Sequence, residues 1–313
     1  MPRRTRRRDD IYGRLPTERV LDAAADLDGM SPLAIVRLMA RQERESARAV
    51  ERAGAPLSRA AQAVTAALAG GGRLVYVGAG TSGRLAALDA AELRPTFGIG
   101  RAQAIAILAG GPRAMLNAVE GAEDDEAAAG RALRAIDIGE RDVCVGVAAS
   151  GVTPFVRAAL ATARASGATT VLVTCAPDAA TRAGMRADHV VGLRLGPEVL
   201  AGSTRLKAGT ATKIALNALS TAAMIGLGKC YGGRMVDVVA TNAKLEARAR
   251  RIVDAYTSGA DADALLRAAG GRAKVAIAMA RLSLGRKQAE RRLARAGGRL
   301  RDLLGPANRK QRG

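Results

Sequence analysis

The sequence predicts an α/β protein: a doubly wound, parallel five-stranded sheet with helices ahead of it and a small helical domain behind it. A strand, a glycine-rich turn and a helix follow one another between Leu74 and Ala91. Short apolar runs then alternate with helical segments as far as Val191. From about Ala260 the composition changes to short Ala- and Leu-rich helices broken at Gly270-Gly271, Gly285 and Gly297-Gly298. Strands alternating with helices argue a parallel sheet covered on both faces. Residues 1–16 read as a disordered basic tail, 17–256 as the sheet domain with its N-terminal helices, and 257–313 as the small helical domain.

The N-terminal helices come first. Ser31 is placed to cap a helix that has Pro32 at its first position and runs towards Arg52, with Leu33, Val36, Met39 and Ala40 at helical spacing. A second helix is expected from Leu57 to Leu68. Leu74 to Val77 is a short apolar run, read as a buried strand. Gly78, Gly80 and Gly83 form the turn, and Arg84 to Ala91 continues as a helix with Leu85 and Leu88 on its apolar face. A helix that opens this way presents free N–H groups to an anion, and Thr81 and Ser82 add two hydroxyls. Glu92 stands at the end of that helix.

The same glycines satisfy G-x-G-x-x-G, so a dinucleotide site and a merely structural tight turn stand beside a phosphosugar site as readings. A dinucleotide site expects a carboxylate roughly 20 residues on, after the second strand. That strand, Ile105 to Leu108, runs into Ala109-Gly110-Gly111. The missing acid and the hydroxyl pair favour a single phosphate ester.

Further along, Arg113 to Val119 and Asp125 to Ile136 are expected helices, and Asp142 to Val147 is the third strand, ending in A-A-S-G-V-T-P. Thr153 to Ala165 is the next helix, Thr169 to Thr174 the fourth strand, and His189 to Val191 opens the fifth. Thr81-Ser82 and Ser150-Gly151 both fall at strand carboxyl ends, where ligands bind in such sheets. Gly202-Ser203-Thr204 marks the start of a long helix from Leu206 to Leu227, a further anion-ready terminus, with Arg205, Lys207 and Lys213 nearby. Gly228 to Val239 reads as a connector, and Thr241 as the cap of a helix carrying Leu245 and Ile252.

Composition narrows the function classes. The chain has 313 residues, enough to bury about three quarters of its unfolded surface. Trp is absent and Phe occurs twice, so Ala, Leu, Val and Ile fill the core. No apolar run approaches the roughly 20 residues of a membrane span, and the basic N-terminus leads into no apolar signal region. Cys144, Cys175 and Cys230 are dispersed, as reduced thiols of a cytoplasmic protein are. His189 is the single histidine and has no metal-ligand pattern around it, so no metal and no cofactor are expected. The net charge is +20, concentrated in Arg-rich ends that lack aromatic residues for base stacking. They read as solvated faces, and a nucleic-acid partner is not expected.

The blocks G-A-G-T-S-G-R-L, L-D-A-A-E-L-R-P-T-F, A-V-E-G-A-E-D, A-A-S-G-V-T-P, G-S-T-R-L-K-A-G-T-A, L-S-T-A-A-M and M-V-D-V-V-A-T-N-A-K-L, in this order, resemble the N-acetylmuramic acid 6-phosphate etherases. The likeness runs from about Thr17 to Leu304. It implies a sugar isomerase (SIS) fold and a metal-free lyase that cleaves the D-lactyl ether of the sugar phosphate, acting in cell-wall sugar recycling as a cytoplasmic homodimer. By the same resemblance Glu92 matches the proton donor and Glu123 the second active-site carboxylate. Gly80, Thr81, Ser82, Ser150, Gly151 and Thr153 would hold the phosphate, with Ser203, Thr204 and Lys207 completing the pocket. Leu93 and Arg94 replace the usual Cys-Pro beside Glu92, and Gly233 replaces an Asn. The glucokinase regulatory protein shares these motifs, so a non-catalytic sugar-phosphate sensor is the alternative, and a nucleic-acid-binding regulator a more distant one.

Overall fold

The computed structural model describes residues 13, 15–238, 243–257 and 259–307. These fall into two compact units. One comprises the chain up to Ala90 together with Ala102–Ser220; the other comprises Ala91–Arg101 and the residues from Thr221 onward.

The first unit opens with α1 (Pro32–Arg52) and α2 (Gly54–Ala69). Ser31 Oγ accepts the Ala34 N–H at 3.3 Å, so the cap read from the sequence is made. Five parallel strands follow: β1 (Leu74–Gly78), β2 (Ala104–Leu108), β3 (Val143–Val147), β4 (Thr169–Thr174) and β5 (His189–Gly192), ordered β2-β1-β3-β4-β5. Between them run α3 (Gly80–Phe97), α4 (Glu126–Arg134), α5 (Pro154–Ala165) and α6 (Pro177–Arg182), and α7 (Lys207–Gly226) comes after β5.

β1, β3 and β4 lack the polar alternation of a half-exposed strand because both faces of the sheet are covered. Val75, Val77, Cys144 and Leu172 pack with Leu133 of α4 and Phe155, Val156 and Leu160 of α5. Alternate side chains point the other way, to the face where α2 packs against β1, β3 and β5. Each such Val, Leu or Phe contributes about 1.5–3 kcal/mol on burial.

At the amino ends of the strands, Arg73 closes the sheet onto Asp142. The Arg73 backbone N–H and Nε donate to Asp142 Oδ1 at 2.9 and 3.0 Å, and Nη2 donates to Oδ2 at 2.6 Å. Burial works against the Asp142 charge, yet these bonds and the Gly139 N–H hold its carboxyl below the usual carboxylate range.

The second unit contains a hairpin, β6 (Cys230–Tyr231) and β7 (Arg234–Met235), then α8 (Ala243–Thr257), α9 (Ala262–Ala268), α10 (Ala273–Leu282), α11 (Arg286–Arg295) and α12 (Leu300–Leu304). Its core gathers Tyr231, Ile252, Val253, Val275, Ile277, Leu293 and Leu300. Tyr256 Oη donates to the Tyr231 carbonyl at 2.6 Å, which seats α8 on the hairpin.

Several sequence expectations are corrected. The helix after β1 begins at Gly80, so Thr81 and Ser82 lie in its first turn rather than in a loop ahead of it. It also runs past Ala91 to Phe97, with Pro95 near its end. Instead of a helix over 113–119 there is one short 3-10 turn, Pro112–Met115, and Leu116 beyond it is 89% exposed. The connector after Gly228 contains a hairpin across Gly232-Gly233, in which Gly232 takes φ +56, a conformation glycine favours at the first turn position. Leu15, assigned to the tail, is buried against Val152, Ala176 and Ala179. Thr241 and residues 1–12 lie outside the described residues.

Candidate functional site

The strand register brings the carboxyl ends of the sheet level. Gly78 pairs with Leu108 on one side and Val147 on the other, Val147 with Val173, and Thr174 with Gly192. The order reverses between β1 and β3, and in an open α/β sheet the crevice for a ligand forms at that switch point. The two turns flanking it are those that carry Thr81-Ser82 and Ser150 to Thr153.

The β1 turn is as tight as a strand-to-helix junction allows. A Cβ on Gly83 would lie 2.7 Å from the Gly78 oxygen and 2.2 Å from Leu108 Cδ1, so α3 starts directly against the strand end. Gly80 has φ +52, a left-handed conformation that favours glycine. Gly83 N donates to Ala79 O at 3.1 Å as the helix gets under way. The N–H groups ahead of it, on Gly80, Thr81 and Ser82, are those a helix start leaves without an intrahelical acceptor. Arg84, the Arg of the same motif, reaches sideways: its Nε donates to the carbonyls of Ala114 and Met115 at 3.0 and 3.1 Å, and so ties α3 to the 3-10 turn after β2.

After β3 the chain turns through Ala148-Ala149-Ser150-Gly151. Gly151 N donates to Ala148 O at 3.0 Å, and Gly151 has φ +72. A Cβ there would be 2.7 Å from the Ala176 oxygen. Ser150 Oγ is 3.4 Å from the Val152 N–H, and the Thr153 hydroxyl makes no cap bond although Thr153 precedes α5. Ser150 and Thr153 are half-buried, as are Thr81 and Ser82.

A third segment joins the first. A Cβ built on Gly209, in the opening turn of α7, would lie 3.6 Å from Thr81 Cγ2 and 3.5 Å from the Thr204 oxygen. Thr81 and the 203–204 loop therefore converge on the same turn of α7. Gly202 N donates to Thr17 O at 2.7 Å, which anchors this loop to the N-terminal segment.

Ser203 and Thr204 precede α7, whose first residue is Lys207. The anion-ready terminus expected from the sequence is already filled from within: Glu198 Oε2 accepts the Lys207 N–H at 3.0 Å and Oε1 accepts the Ala208 N–H at 2.8 Å. Lys207 is buried, and its Nζ donates to Pro197 O at 2.6 Å and Gln42 Oε1 at 3.1 Å. Burial pushes the Lys207 ammonium down and the Glu198 carboxyl up; the charges of Glu198, Glu43 and Glu45 oppose the first shift. In this structure Lys207 therefore holds the loop rather than facing a ligand.

The two candidate carboxylates are both exposed. Glu92 lies in α3, and Glu123 in the 3-10 turn Ala122–Asp124, which follows Gly121 at φ +69. The cleft of about 870 Å³ beside that turn is lined by Ile107, Leu108, Met115, Val119, Ala122 and Phe155 among others. It is mainly apolar, with Glu120 and Asp125 also lining it, and none of the hydroxyl-bearing turn residues does. Among the described residues no cluster of His, Cys, Asp and Glu is arranged to hold a metal ion.

Sequence reasoning did not single out Glu198 or Asp89. Asp89 is buried in α3, where it accepts from Tyr76 Oη and Ser220 Oγ. Glu198 is nine residues from the helix start it caps, beyond any local capping spacing, and Ser220 is 131 residues from Asp89. The one local signal was an acid at an otherwise apolar helical position.

A five-stranded parallel sheet covered on both faces, with hydroxyl-bearing turns at its switch point, defines the class: a doubly wound α/β domain. Residues 56–164 match the family model described as the glucokinase regulatory protein N-terminal SIS domain. The chain is 52% identical to the N-acetylmuramic acid 6-phosphate etherase of Deinococcus radiodurans over 292 residues, 92% of this chain and 95% of that protein. To the etherase of Rubrobacter xylanophilus it is 46% identical over 303 residues, 96% and 99% of the two chains. A solved phosphoheptose isomerase from Francisella tularensis is similar at 20% identity, with a TM-score of 0.45 over 62% of this chain and 98% of that one. The chain belongs to the N-acetylmuramic acid 6-phosphate etherase family.

Proposed function

We propose that this protein is an N-acetylmuramic acid 6-phosphate etherase, a carbon–oxygen lyase that releases D-lactate and leaves N-acetylglucosamine 6-phosphate. The observation that carries the reading is the near-full-length identity to proteins of that name, and the switch-point cradle agrees with it. The chemistry needs two proton-transfer groups. Ring opening exposes an aldehyde at C1, which acidifies the C2 proton. A base removes that proton, the C3–O bond breaks, and an acid protonates the departing lactyl oxygen. Water then adds across the C2–C3 double bond, returning hydroxyl to C3 and hydrogen to C2. Each positioned acid or base contributes about 10² to 10⁴ in rate.

In this proposal Glu92 is the proton donor and Glu123 the second carboxylate. The N–H group at Gly80 and the hydroxyls of Thr81, Ser82, Ser150 and Thr153 hold the phosphate, and Gly151 shapes the second turn around it. Ser203 and Thr204 close over it from a loop that Lys207 and Glu198 brace. The protein acts without a metal or cofactor, in the cytoplasm, as a homodimer; a one-chain mass in light scattering would withdraw the last point. No helix among the described residues is long and apolar enough to cross a membrane. The separately folding parts we assign are 17–256 and 257–313.

The test is D-lactate release from N-acetylmuramic acid 6-phosphate by the wild type and by Glu92→Gln. The amide keeps the side chain's shape but cannot donate a carboxyl proton, so kcat should fall about 10²-fold or more with substrate binding retained. A wild type that binds the sugar phosphate and releases no lactate would make the protein a sensor instead. Wild-type turnover by Glu92→Gln would remove Glu92 from its role.

A further inference from the structure

The middle of α3 carries a group that neither phosphate binding nor proton transfer uses. Asp89 is only 5% exposed. Its Oδ2 accepts the Tyr76 hydroxyl of β1 at 2.8 Å, and its Oδ1 accepts the Ser220 hydroxyl of α7 at 3.2 Å. Tyr76 is fully buried. One carboxylate thus joins three elements: the interior strand β1, the helix that begins at the phosphate cradle, and the long helix whose first turn meets Thr81. Burial pushes the Asp89 carboxyl up against the effect of both hydroxyls and the Lys213 charge; burial and Asp89 together push the Tyr76 phenol well up.

Such a network is a poor way to gain stability. Desolvating a carboxylate costs several kcal/mol, and apolar replacement of a whole buried polar group is often neutral or stabilising. What it supplies is direction. Hydrogen bonds at 2.8 and 3.2 Å fix rotation and sliding of the helix, whereas packed alkyl groups tolerate small shifts. The amino end of α3 needs little such help, because Gly78 and Gly83 already clamp it to β1. Asp89 lies nearly two helical turns beyond that clamp, and Glu92 follows it at i+3, one turn on along the same helix.

We propose that Asp89 is a positioning residue for the etherase reaction, pinning α3 through Tyr76 and Ser220 so that Glu92 is presented in one orientation. The inference rests on the proposed role of Glu92. It predicts a particular division of effects. Loosening the pin disturbs the helix beyond Asp89 more than the cradle before it, so kcat falls while KM for the sugar phosphate and inhibition by inorganic phosphate hold. A displacement near 1 Å of a reacting group costs on the order of 10² in rate.

The experiment uses the full chain and four variants: Asp89→Asn, Tyr76→Phe, Glu92→Gln, and the triple apolar variant Tyr76→Phe/Asp89→Leu/Ser220→Ala. Thermal unfolding, D-lactate kinetics and inorganic phosphate inhibition are read on each. Asn can accept from Tyr76 and donate to Ser220, so Asp89→Asn should stay within about threefold of wild-type kcat. The triple variant should unfold at or above the wild-type temperature yet lose about 10-fold or more in kcat, with KM and phosphate inhibition within about threefold. If the triple variant does not fold, Tyr76→Phe alone carries the test, with lower kcat at unchanged KM expected.

A stable apolar variant with wild-type kcat would overturn the proposal, and so would a loss in proportion to the unfolded fraction or one confined to KM. Glu92→Gln separates the two layers. If it is inactive while the apolar variant turns over normally, only the pin fails. If it is fully active, the reading of Glu92 fails first.

Discussion

Ser82 and Ser150 contact, on the proposed reading, a part of the substrate that does not react. Interactions with a spectator phosphate are equally strong in ground and transition states, so they lower KM without raising kcat. Ser82→Ala and Ser150→Ala should each raise KM about 10- to 150-fold, the equivalent of 1.5–3 kcal/mol for a hydrogen bond to a charged group, and leave kcat nearly unchanged. Steady-state lactate kinetics on the phosphorylated and unphosphorylated sugar give the answer; equal turnover of both sugars would mean that the glycine-rich turn holds no phosphate. The placement of these hydroxyls was legible in the sequence because it is local: a hydroxyl beside a glycine at a strand end. Lys207 was legible only by its charge. Its ammonium is drawn inward by Pro197 O and Gln42, contacts 10 and 165 residues away, which no local pattern encodes.

At the scale of elements, the order of strands and helices could be read because buried parallel strands are continuous apolar runs and the intervening helices carry apolar faces. Boundaries were missed where a glycine belonged to an element rather than to its end. Gly80 opens α3 because the close approach of Gly78 and Gly83 leaves no room for a separate loop. The β6–β7 hairpin escaped notice because each strand is two residues long, too short for alternation to show.

The joint between β1 and β3 yields a further expectation. The folded-state carboxyl of Asp142 lies below the usual range. Its contribution is therefore fully present above the unfolded-state value of about 3.9 and is lost as pH falls through the lower folded value. Asp142→Asn should destabilise the fold by about 3 kcal/mol at neutral pH. The gap from wild type should narrow steadily below about pH 4. Denaturant unfolding at a series of pH values measures this; a gap that stays constant down to pH 2 would show that the pair with Arg73 contributes nothing through its charge.

For the whole molecule the dominant fact is charge. Lys and Arg number 49 against 29 Asp and Glu, and a single His leaves the net value of +20 almost unchanged through the neutral range. Many of the ion pairs are exposed, Arg194–Asp178 and Arg250–Asp263 among them, and pairs of that kind contribute about 0–1 kcal/mol each. The unpaired excess repels itself, which disfavours the compact state. Salt acts on both contributions, but it relieves a long-range repulsion summed over the whole surface while weakening contacts that were worth little. The Debye length falls from about 30 Å at 0.01 M to about 8 Å at 0.15 M, short of the distance across a domain of this size. The unfolding temperature should therefore rise, by a few degrees, as sodium chloride is raised over that range. Chloride is the appropriate salt because phosphate or sulfate would also bind the proposed cradle and stabilise the fold by mass action. A temperature that falls with chloride would mean that attraction outweighs repulsion on this surface, and that the Arg-rich ends are more closely paired with acidic groups than their composition implies.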